Sequence, residues 1–167
     1  SRPQDLSVAQ LAEWVRRIVE IEQPIHTEEV GRRLAALCGW QRAGAQIQAA
    51  ARRGLLSAKQ GRLVLNDGDF WTLYEGAVVG RDRSQLPASD PLRKPAKIAP
   101  SEIESVALHA LLENIAMTED EMVIETARLL GFARTGSDVR AAIENVIRTR
   151  LRPRLKLDHL GRLKRKE

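Results

Sequence analysis

Two short stretches of this 167-residue chain, GWQRAG at residues 39–44 and GFARTG at residues 131–136, share their glycines, an aromatic residue and an arginine. They lie 92 positions apart, and the same separation places IHTEEV (25–30) on MTEDEM (117–122) and RLVLN (62–66) on RLKLD (154–158). Beyond these strings, Gly68 aligns with Gly161 if the second copy contains one extra residue. Agreement over this length predicts that one structural unit occurs twice in the chain.

Each copy begins with the pattern of two helices. In the first copy, apolar residues at helical spacing precede Pro24, which predicts a helix that ends near Ile21. Thr27 followed by two glutamates is typical of a helix N-cap, and Gly39 is typical of the glycine that ends a helix. In the second copy, the corresponding helices are expected over residues 100–114 and 118–130.

A third helix and a small β-hairpin follow in each copy. In the first copy, we expect the helix from about residue 43 to 53, ended by Gly54, and then short strands at 55–58 and 61–65 before a turn at Asp67-Gly68. In the second copy, we expect it from residue 135 to about 150, before a final hairpin. The predicted fold class is mainly α with small β-hairpins, arranged as tandem winged-helix-like modules, each of three helices plus a short β-wing.

The middle of the chain has the composition of a linker, with prolines at 87, 91 and 95 among charged and small residues. We therefore expect residues 1–74 to form the first module, residues 75–99 a mostly extended linker, and residues 100–167 the second module with a basic wing and tail. The charges of GRDRSQ (80–85) would allow this string to be pinned onto one module. Because the chain begins with Ser1 and not with Met, we also expect it to belong to a longer polypeptide.

The glycine and aromatic positions of the two opening strings suggest a joint between helices. Trp40 and Phe132 follow the helix-ending glycine, where an apolar side chain closes the helix end, and both are expected in the core. Gly44 and Gly136 are expected to allow close packing of the third helix or an unusual turn.

Arg42 and Arg134 lie where the second helix leads into the third, and two interpretations of them remain open. A basic side chain beside exposed N–H groups at this position would hold a phosphate. Alternatively, each arginine pairs with an acid of its own second helix, for example Glu29 or Glu121, and only stabilises the turn.

The net charge of +5 is unevenly distributed along the chain. After residue 147 there are nine Lys and Arg residues against two acids, so this segment carries +7 and residues 1–147 carry −2. On a strand, the cations of RTRLRPRLK (148–156) would alternate with leucines and form one positive row. Such a wing suits a phosphate backbone, although a solvated basic edge that prevents strand aggregation has the same pattern. The last four or five residues are expected to be disordered.

The candidate nucleic-acid contacts are the basic residues of the second copy: Arg134, Arg140, Arg148, Arg150, Arg152, Arg154, Lys156, Arg162 and Lys164. Weaker candidates in the first copy are Arg42, Arg52, Arg53 and Arg62. Acids such as Asp138 and Glu144 lie among the outward positions of the second copy's third helix, which argues against sequence-specific reading of the major groove.

Catalytic and metal-binding patterns are absent from the sequence. The three histidines are far apart, and the single Cys38 excludes an internal disulfide and a multi-thiolate metal site. There is no GxxxxGK[ST] string and no apolar run of the roughly 18 residues that a membrane span needs. We expect a noncatalytic cytoplasmic protein with no cofactor, no metal, no membrane partner and no small-molecule substrate.

The strings RDRS (81–84), IAPSEI (98–103) and LLGFARTG (129–136) resemble a bacterial domain of unknown function at the C-terminal end of large superfamily-1 helicase-like proteins. In such proteins, helicase ATPase segments are followed by a restriction-endonuclease-like domain and then by this region. The resemblance covers most of the chain and is clearest over residues 98–160. It implies an accessory module of a nucleic-acid-processing ATPase and transfers no catalytic residue.

These observations lead to one functional prediction and one alternative. The chain is expected to be a noncatalytic accessory part of a helicase-like or nuclease-like protein that binds DNA, with little sequence specificity, through its second module. The alternative is a docking module that packs on other domains of the parent chain or on a partner subunit. The charge of −2 over residues 1–147 favours this second role for the first module.

Overall fold

The structure, a computed structural model, describes residues 2–167 with the exception of the side chain of Gln4. Ser1, on which the expectation of a longer polypeptide rests, lies outside the described residues. The chain forms two compact units, one ending at Val78 and the other beginning at Val79. Each unit is mainly helical with a small antiparallel sheet, which confirms the mainly α class with small hairpins.

The first unit contains three helices and three short strands. In chain order these are α1 (Val8–Glu22), β1 (Ile25–His26), α2 (Thr27–Leu37), α3 (Ala45–Gln60), β2 (Val64–Asp67) and β3 (Phe70–Leu73). The strands form one antiparallel sheet in the order β1-β3-β2, with Ile25 opposite Trp71 and Val64 opposite Leu73. The helices bury apolar side chains against one another, including Leu11, Val15, Val19, Leu34 and Leu55, and this burial is the main stabilising contribution to the unit.

The end of α2 and the end of α5 (Glu119–Leu129) have the same hydrogen-bonded cap. In the first unit, the Trp40 N–H donates to the carbonyl of Ala35 and the Gly39 N–H donates to that of Ala36. In the second unit, Phe132 and Gly131 donate to the carbonyls of residues 127 and 128 in the same way. Both glycines have positive φ, +78° and +96°, as this Schellman cap requires. Gly39 and Gly131 are therefore confirmed as helix-ending glycines.

Helix α3 is longer than its sequence indicates. It continues through Gly54 to Gln60, so the expected strand at 55–58 is wrong. A Cβ on Gly54 would lie 2.9 Å from the backbone carbonyl carbon and oxygen of Leu11, which shows how closely α1 and α3 approach. Gly54 therefore serves helix packing in the helix interior, where Leu55 and Ala58 are fully buried.

The start of α2 also differs from the prediction. Its N-cap is His26, whose Nδ1 accepts a hydrogen bond from the Glu28 N–H at 3.1 Å, and not Thr27. The Thr27 hydroxyl instead accepts from Trp71 Nε1 at 2.9 Å and donates to the Asp69 carbonyl at 3.0 Å. Thr27 thus connects the helix to the hairpin.

The second unit repeats this order of elements. It contains α4 (Pro100–Asn114), β4 (Ala116–Met117), α5, α6 (Ser137–Val146), β5 (Leu155–Leu157) and β6 (Leu163–Arg165), with strand order β4-β6-β5. Between α6 and β5 the chain continues as a π-helical turn (Ile147–Leu151) and a 3-10 turn (Arg152–Arg154). The strand β6 lies within the last five residues, so the expectation that those residues are disordered is wrong.

The two hairpins correspond in a register that differs from the sequence alignment. Val64 lies opposite Leu73, and Leu155 lies opposite Arg165, so the buried Val64 corresponds to the buried Leu155. The sequence alignment had instead placed Val64 on Lys156. A shift of one residue along a strand moves every side chain to the opposite face, so burial decides the register and the similarity of the letters misleads.

The segment 79–99 belongs to the second unit, which differs from the prediction of an extended linker over 75–99. Its Arg83 guanidinium donates to both carboxylate oxygens of Glu102 in α4, at 2.7 and 2.8 Å. The Arg83 N–H also donates to the Leu130 carbonyl at 2.9 Å, and a Cβ on Gly131 would meet the backbone of residues 83 and 84. The string GRDRSQ is therefore pinned to the second unit by its charges.

The other residues of GWQRAG and GFARTG follow the predictions only in part. Phe132 packs partly buried against the core, with the Arg93 guanidinium carbon 5.9 Å from its ring centre. Trp40 is 45% exposed, so its expected burial in the core is wrong. Gly44 and Gly136 are N-caps with ordinary φ values of −73° and −68°, and a Cβ would meet nothing within 4 Å, so neither close packing nor an unusual turn explains them.

Candidate nucleic-acid interface

The basic stretch after residue 147 does not form the expected strand of alternating cations. Arg148 and Arg150 lie on the π-helical turn, Arg152 and Arg154 lie on the 3-10 turn, and only Lys156 lies on a strand. The helix continues because the fully buried Ile147 and Leu151 follow Ile143 at intervals of four residues, which keeps them on one helix face.

Two predicted contacts on α6 and the turn after it are engaged by acids at the start of α5. Arg140 donates to Asp120 at 2.8 Å, and Arg148 donates to Glu119 at 2.8 Å. The hydrogen bond from Asp120 raises the pKa of Arg140 above its ordinary value. Glu144 lies 3.4 Å from Arg140 and 3.9 Å from Arg148. These pairs neutralise much of the positive charge that the sequence assigns to this face.

Other predicted contacts also have carboxylate partners. Arg154 donates to Glu104 of α4 at 2.7 Å, and Arg150 lies 3.6 Å from the same carboxylate. Arg162 donates to Asp158 at 2.8 Å within the β5–β6 loop. Sequence reasoning missed the two pairs with Glu104 because Glu104 lies far from Arg150 and Arg154 along the chain.

Two lysines on the β5–β6 hairpin differ from these arginines. Lys156 and Lys164 are direct cross-strand neighbours, so their side chains share one face of the sheet. Their neighbours Leu155 and Leu163 are buried and point to the opposite face. Within the part of the chain that the structure describes, neither lysine has an ion-pair partner. Like charges directly opposite each other are unfavourable unless an anion lies between them.

Other cations of the candidate set are exposed. In the second unit these are Arg134 and Arg152, and in the first unit they are Arg42, Arg52, Arg53 and Arg62. None of them forms an ion pair among residues 2–167. Pairing of Arg42 with Glu29 and of Arg134 with Glu121 is not observed, because Glu29 pairs with Arg32 and Glu121 caps the N–H of Thr118.

The β5–β6 loop is held by the carboxylate of Asp158. It accepts hydrogen bonds from the N–H groups of Arg162 and Leu160, both at 2.9 Å, as well as from the Arg162 guanidinium. The N–H of Arg162 makes the largest contribution to lowering the pKa of Asp158 below its ordinary value. The loop therefore presents the strand ends in one defined arrangement.

Arg165 and Lys166 are two exposed cations that the candidate set omitted. Arg165 lies on β6 opposite Leu155, and the Lys166 ammonium donates to the Pro153 carbonyl at 3.2 Å. The basic string RLKRKE (162–167) indicated these two cations in the sequence, but they were left out because the tail was expected to be disordered.

Residues 2–167 contain neither a metal-binding cluster nor a membrane-spanning helix. No three His, Cys, Asp or Glu side chains among them come together as a group able to hold a metal ion. In the same range, no helix is long and apolar enough to cross a bilayer.

Part of the chain matches a known protein family. Residues 4–49, which run from the turn before α1 into α3, match a family described as "Protein of unknown function (DUF3320)". No curated protein and no solved structure matches the chain. The match lies on the first copy, whereas the resemblance seen in the sequence is clearest over the second. Over residues 4–49, the chain is thus similar to a protein family whose function is unknown.

Proposed function

We propose that this chain is a noncatalytic module that binds DNA through its second unit with little preference for sequence. The observation that carries the proposal is the cross-strand pair Lys156 and Lys164, which has no carboxylate partner among the described residues. A phosphate between two such lysines would relieve their mutual repulsion.

The order of elements supports a tandem winged-helix assignment. Each unit has a helix, a short strand, two further helices and a two-stranded hairpin, with the last strand central in the sheet. This is the order of an elaborated helix-turn-helix, in which the third helix and the hairpin, or wing, approach the duplex. In the second unit these elements are α6 and the β5–β6 wing.

The charges of the second unit support backbone contact more than base reading. Of the candidate contacts in the second unit, Lys156, Lys164, Arg134 and Arg152 have no carboxylate partner within residues 2–167, so they need not give up an acid in order to bind a phosphate. Arg140 and Arg148 would first have to leave Asp120 and Glu119. Contacts to phosphates fix orientation and affinity but carry no direct sequence information.

The wider role follows from the resemblance to the C-terminal region of helicase-like proteins. A module of this kind would hold the ATPase or nuclease parts of a bacterial, cytoplasmic parent protein on their DNA. The first unit lacks the lysine pair, since Leu65 and Thr72 occupy the corresponding positions of its hairpin. It is therefore the better candidate for contacts with other domains of the parent.

A salt titration of duplex binding tests the proposal. We expect the unmodified chain to bind duplex DNA at low salt and to lose affinity steeply as salt rises. The double variant Lys156→Gln with Lys164→Gln should bind more weakly and should reduce the slope of log affinity against log salt by about 0.9, since the two lysines together hold one phosphate and each neutralised phosphate contributes about 0.9.

The matched control is Arg17→Gln with Lys59→Gln, which removes the same charge from exposed positions of the first unit that lie outside the candidate set. This control should leave the slope near that of the unmodified chain. Equal effects of the two double variants would show that only net charge matters and would overturn the assignment to the wing. No measurable binding to single-stranded or duplex DNA at low salt would overturn DNA binding altogether.

Docking of the first unit is the second candidate function. Ile21, Leu37 and Trp40 are exposed large apolar side chains, and a groove of about 290 Å³ lies between α1 and α2. Exposed apolar groups of this kind are typical of interaction surfaces when they are contiguous. A chain that does not bind DNA but binds the remaining domains of its parent would favour this candidate.

A further inference from the structure

A groove on the second unit lies between α4 and the hairpin and has a volume of about 320 Å³. Its floor is formed by leucines 108, 112, 151 and 155. Leu151 and Leu155 are buried, whereas Leu112 is 48% exposed. The stripe Leu108–Leu112 continues to Ile115, which is 80% exposed just after the end of α4. This stripe along α4 is therefore apolar, although Leu112 and Ile115 are not buried in the core.

The first unit shows that the fold does not require apolar residues along this stripe. Leu108, Leu112 and Ile115 correspond to Arg16, Glu20 and Gln23, 92 positions earlier. The buried positions of the two helices correspond at the same separation, for example Leu11 with Ile103. In the first unit, Arg16 forms ion pairs with Glu13 and Glu20, as expected for a helix face in water. At these three positions the second unit has apolar side chains where the first unit has polar or charged ones.

The rim of the groove is positively charged. Arg165 is exposed and forms no ion pair within the described residues, and Lys166 donates only to a neutral carbonyl, so both charges remain uncompensated. Arg154 completes the rim and pairs with Glu104. A ligand that fits this groove needs apolar groups for the floor and negative charge beside Arg165 and Lys166.

We propose that this groove binds an acidic amphipathic helix of a partner polypeptide, whose apolar side chains contact Leu108 and Leu112 and whose carboxylates face Arg165 and Lys166. Helix-in-groove recognition uses apolar anchors at helical spacing, and the leucine stripe supplies the matching surface. The floor has no aromatic ring on which a nucleic-acid base would stack. A bilayer would require a broad apolar face, whereas this one is a concave groove. The inference concerns a different surface and partner from the proposed DNA contacts.

A synthetic probe tests the proposal on the full chain. The probe is a labelled helical peptide with leucines at positions i, i+4 and i+7 and glutamates on both flanks. Two companion peptides replace the glutamates with lysines or the leucines with serines. We expect the first peptide to bind with the highest affinity in fluorescence anisotropy, and Leu112→Ser to weaken its binding at least about tenfold, as loss of a central apolar anchor does.

Three comparisons complete the experiment. Leu56→Ser, which changes a leucine of similar exposure on α3, should leave peptide affinity unchanged. Arg165→Gln with Lys166→Gln should weaken binding of the acidic peptide and abolish the difference in affinity between the acidic peptide and the lysine peptide. DNA affinity of Leu112→Ser should equal that of the unmodified chain, which separates this site from the proposed wing contacts.

Several results would overturn the proposal. These are no binding of the acidic peptide at its solubility limit, equal binding of the lysine peptide, or full binding by Leu112→Ser. Concentration-dependent self-association that Leu112→Ser abolishes would identify the occupant as a second copy of this chain and would also overturn it. Chemical-shift mapping that places the acidic peptide away from α4 would have the same consequence.

Discussion

At the scale of single residues, the most constrained contact joins Arg83 and Glu102. Their side chains are 3% and 2% exposed, and the guanidinium and carboxylate form two parallel hydrogen bonds. Arg83 also donates to the carbonyls of Arg81 and Leu92, so its N–H groups are well satisfied. Removing one partner of such a pair leaves a buried charge without compensation, which costs far more than removing both.

Substitution of Arg83 tests this asymmetry. We expect Arg83→Met to lower the free energy of unfolding of the second unit by about 3–5 kcal/mol, because Glu102 is left buried and uncompensated. The double variant Arg83→Met with Glu102→Met should recover most of this loss. Chemical denaturation, monitored by hydrogen exchange of the α4 amides, measures the free energy of unfolding of both variants.

The first unit supplies an internal control for this experiment. All three tryptophans, Trp14, Trp40 and Trp71, belong to it, so tryptophan fluorescence reports its unfolding alone. Its transition should not change in either variant. Equal destabilisation by the single and the double variant would contradict the buried-charge explanation.

At the scale of elements, the loop of the β5–β6 hairpin is held by one carboxylate. Asp158 accepts from the N–H groups of Arg162 and Leu160, and the pKa of Asp158 is lower in the folded chain than its ordinary value. A lowered folded-state pKa stabilises the fold above the unfolded pKa of about 3.9, and this contribution is lost as pH falls through the folded value.

The pH dependence of Asp158→Asn follows from this sign. The variant should unfold more easily than the unmodified chain at neutral pH, and the difference should vanish in acid, where the Asp158 carboxyl of the unmodified chain is protonated. Thermal unfolding by circular dichroism across this pH range gives the comparison, and carboxyl NMR shifts locate the pKa of Asp158. A destabilisation that is the same at every pH would refute the hydrogen-bonding explanation.

Elements also show how far local patterns extend. Sequence reasoning placed the helix ends at Gly39 and Gly131 correctly, because the Schellman cap involves residues only a few positions apart. It ended α3 at Gly54, because a glycine inside a helix is intrinsically unfavourable. The close approach of Leu11, 43 positions earlier, explains why glycine occurs there.

At the scale of the whole molecule, the chain consists of two units with separate cores. Each core contains side chains from all three helices and from the sheet of its own unit. The boundary lies at Val78 and Val79, and the segment 79–99 packs on the second unit through Arg83. The DNA contacts of the second unit are a prediction that the salt titration tests.

Fragments of the chain test where the second unit begins. Residues 1–78 and 79–167, produced separately, should each unfold in one cooperative transition. A fragment of residues 100–167 should be less stable than 79–167, because it lacks the core residue Ile98 and the hydrogen bonds from Arg83 to Glu102 and to the Leu130 carbonyl. Calorimetry of the three fragments measures this. Equal stability of 100–167 and 79–167 would mean that residues 79–99 are only a linker.

The sequence by itself determined the features that depend on near neighbours. These are the repeat, the existence of the helices, and the glycine caps at Gly39 and Gly131, the first residues of GWQRAG and GFARTG. Tertiary structure alone decided the register of the hairpins, the length of α3 and the charges that remain available for a ligand. Val64 corresponds to Leu155 because both are buried, and Arg154 loses its free charge to Glu104, 50 positions away. Backbone conformation is set by local sterics and hydrogen bonds, whereas burial and ion pairing depend on residues that only folding brings together.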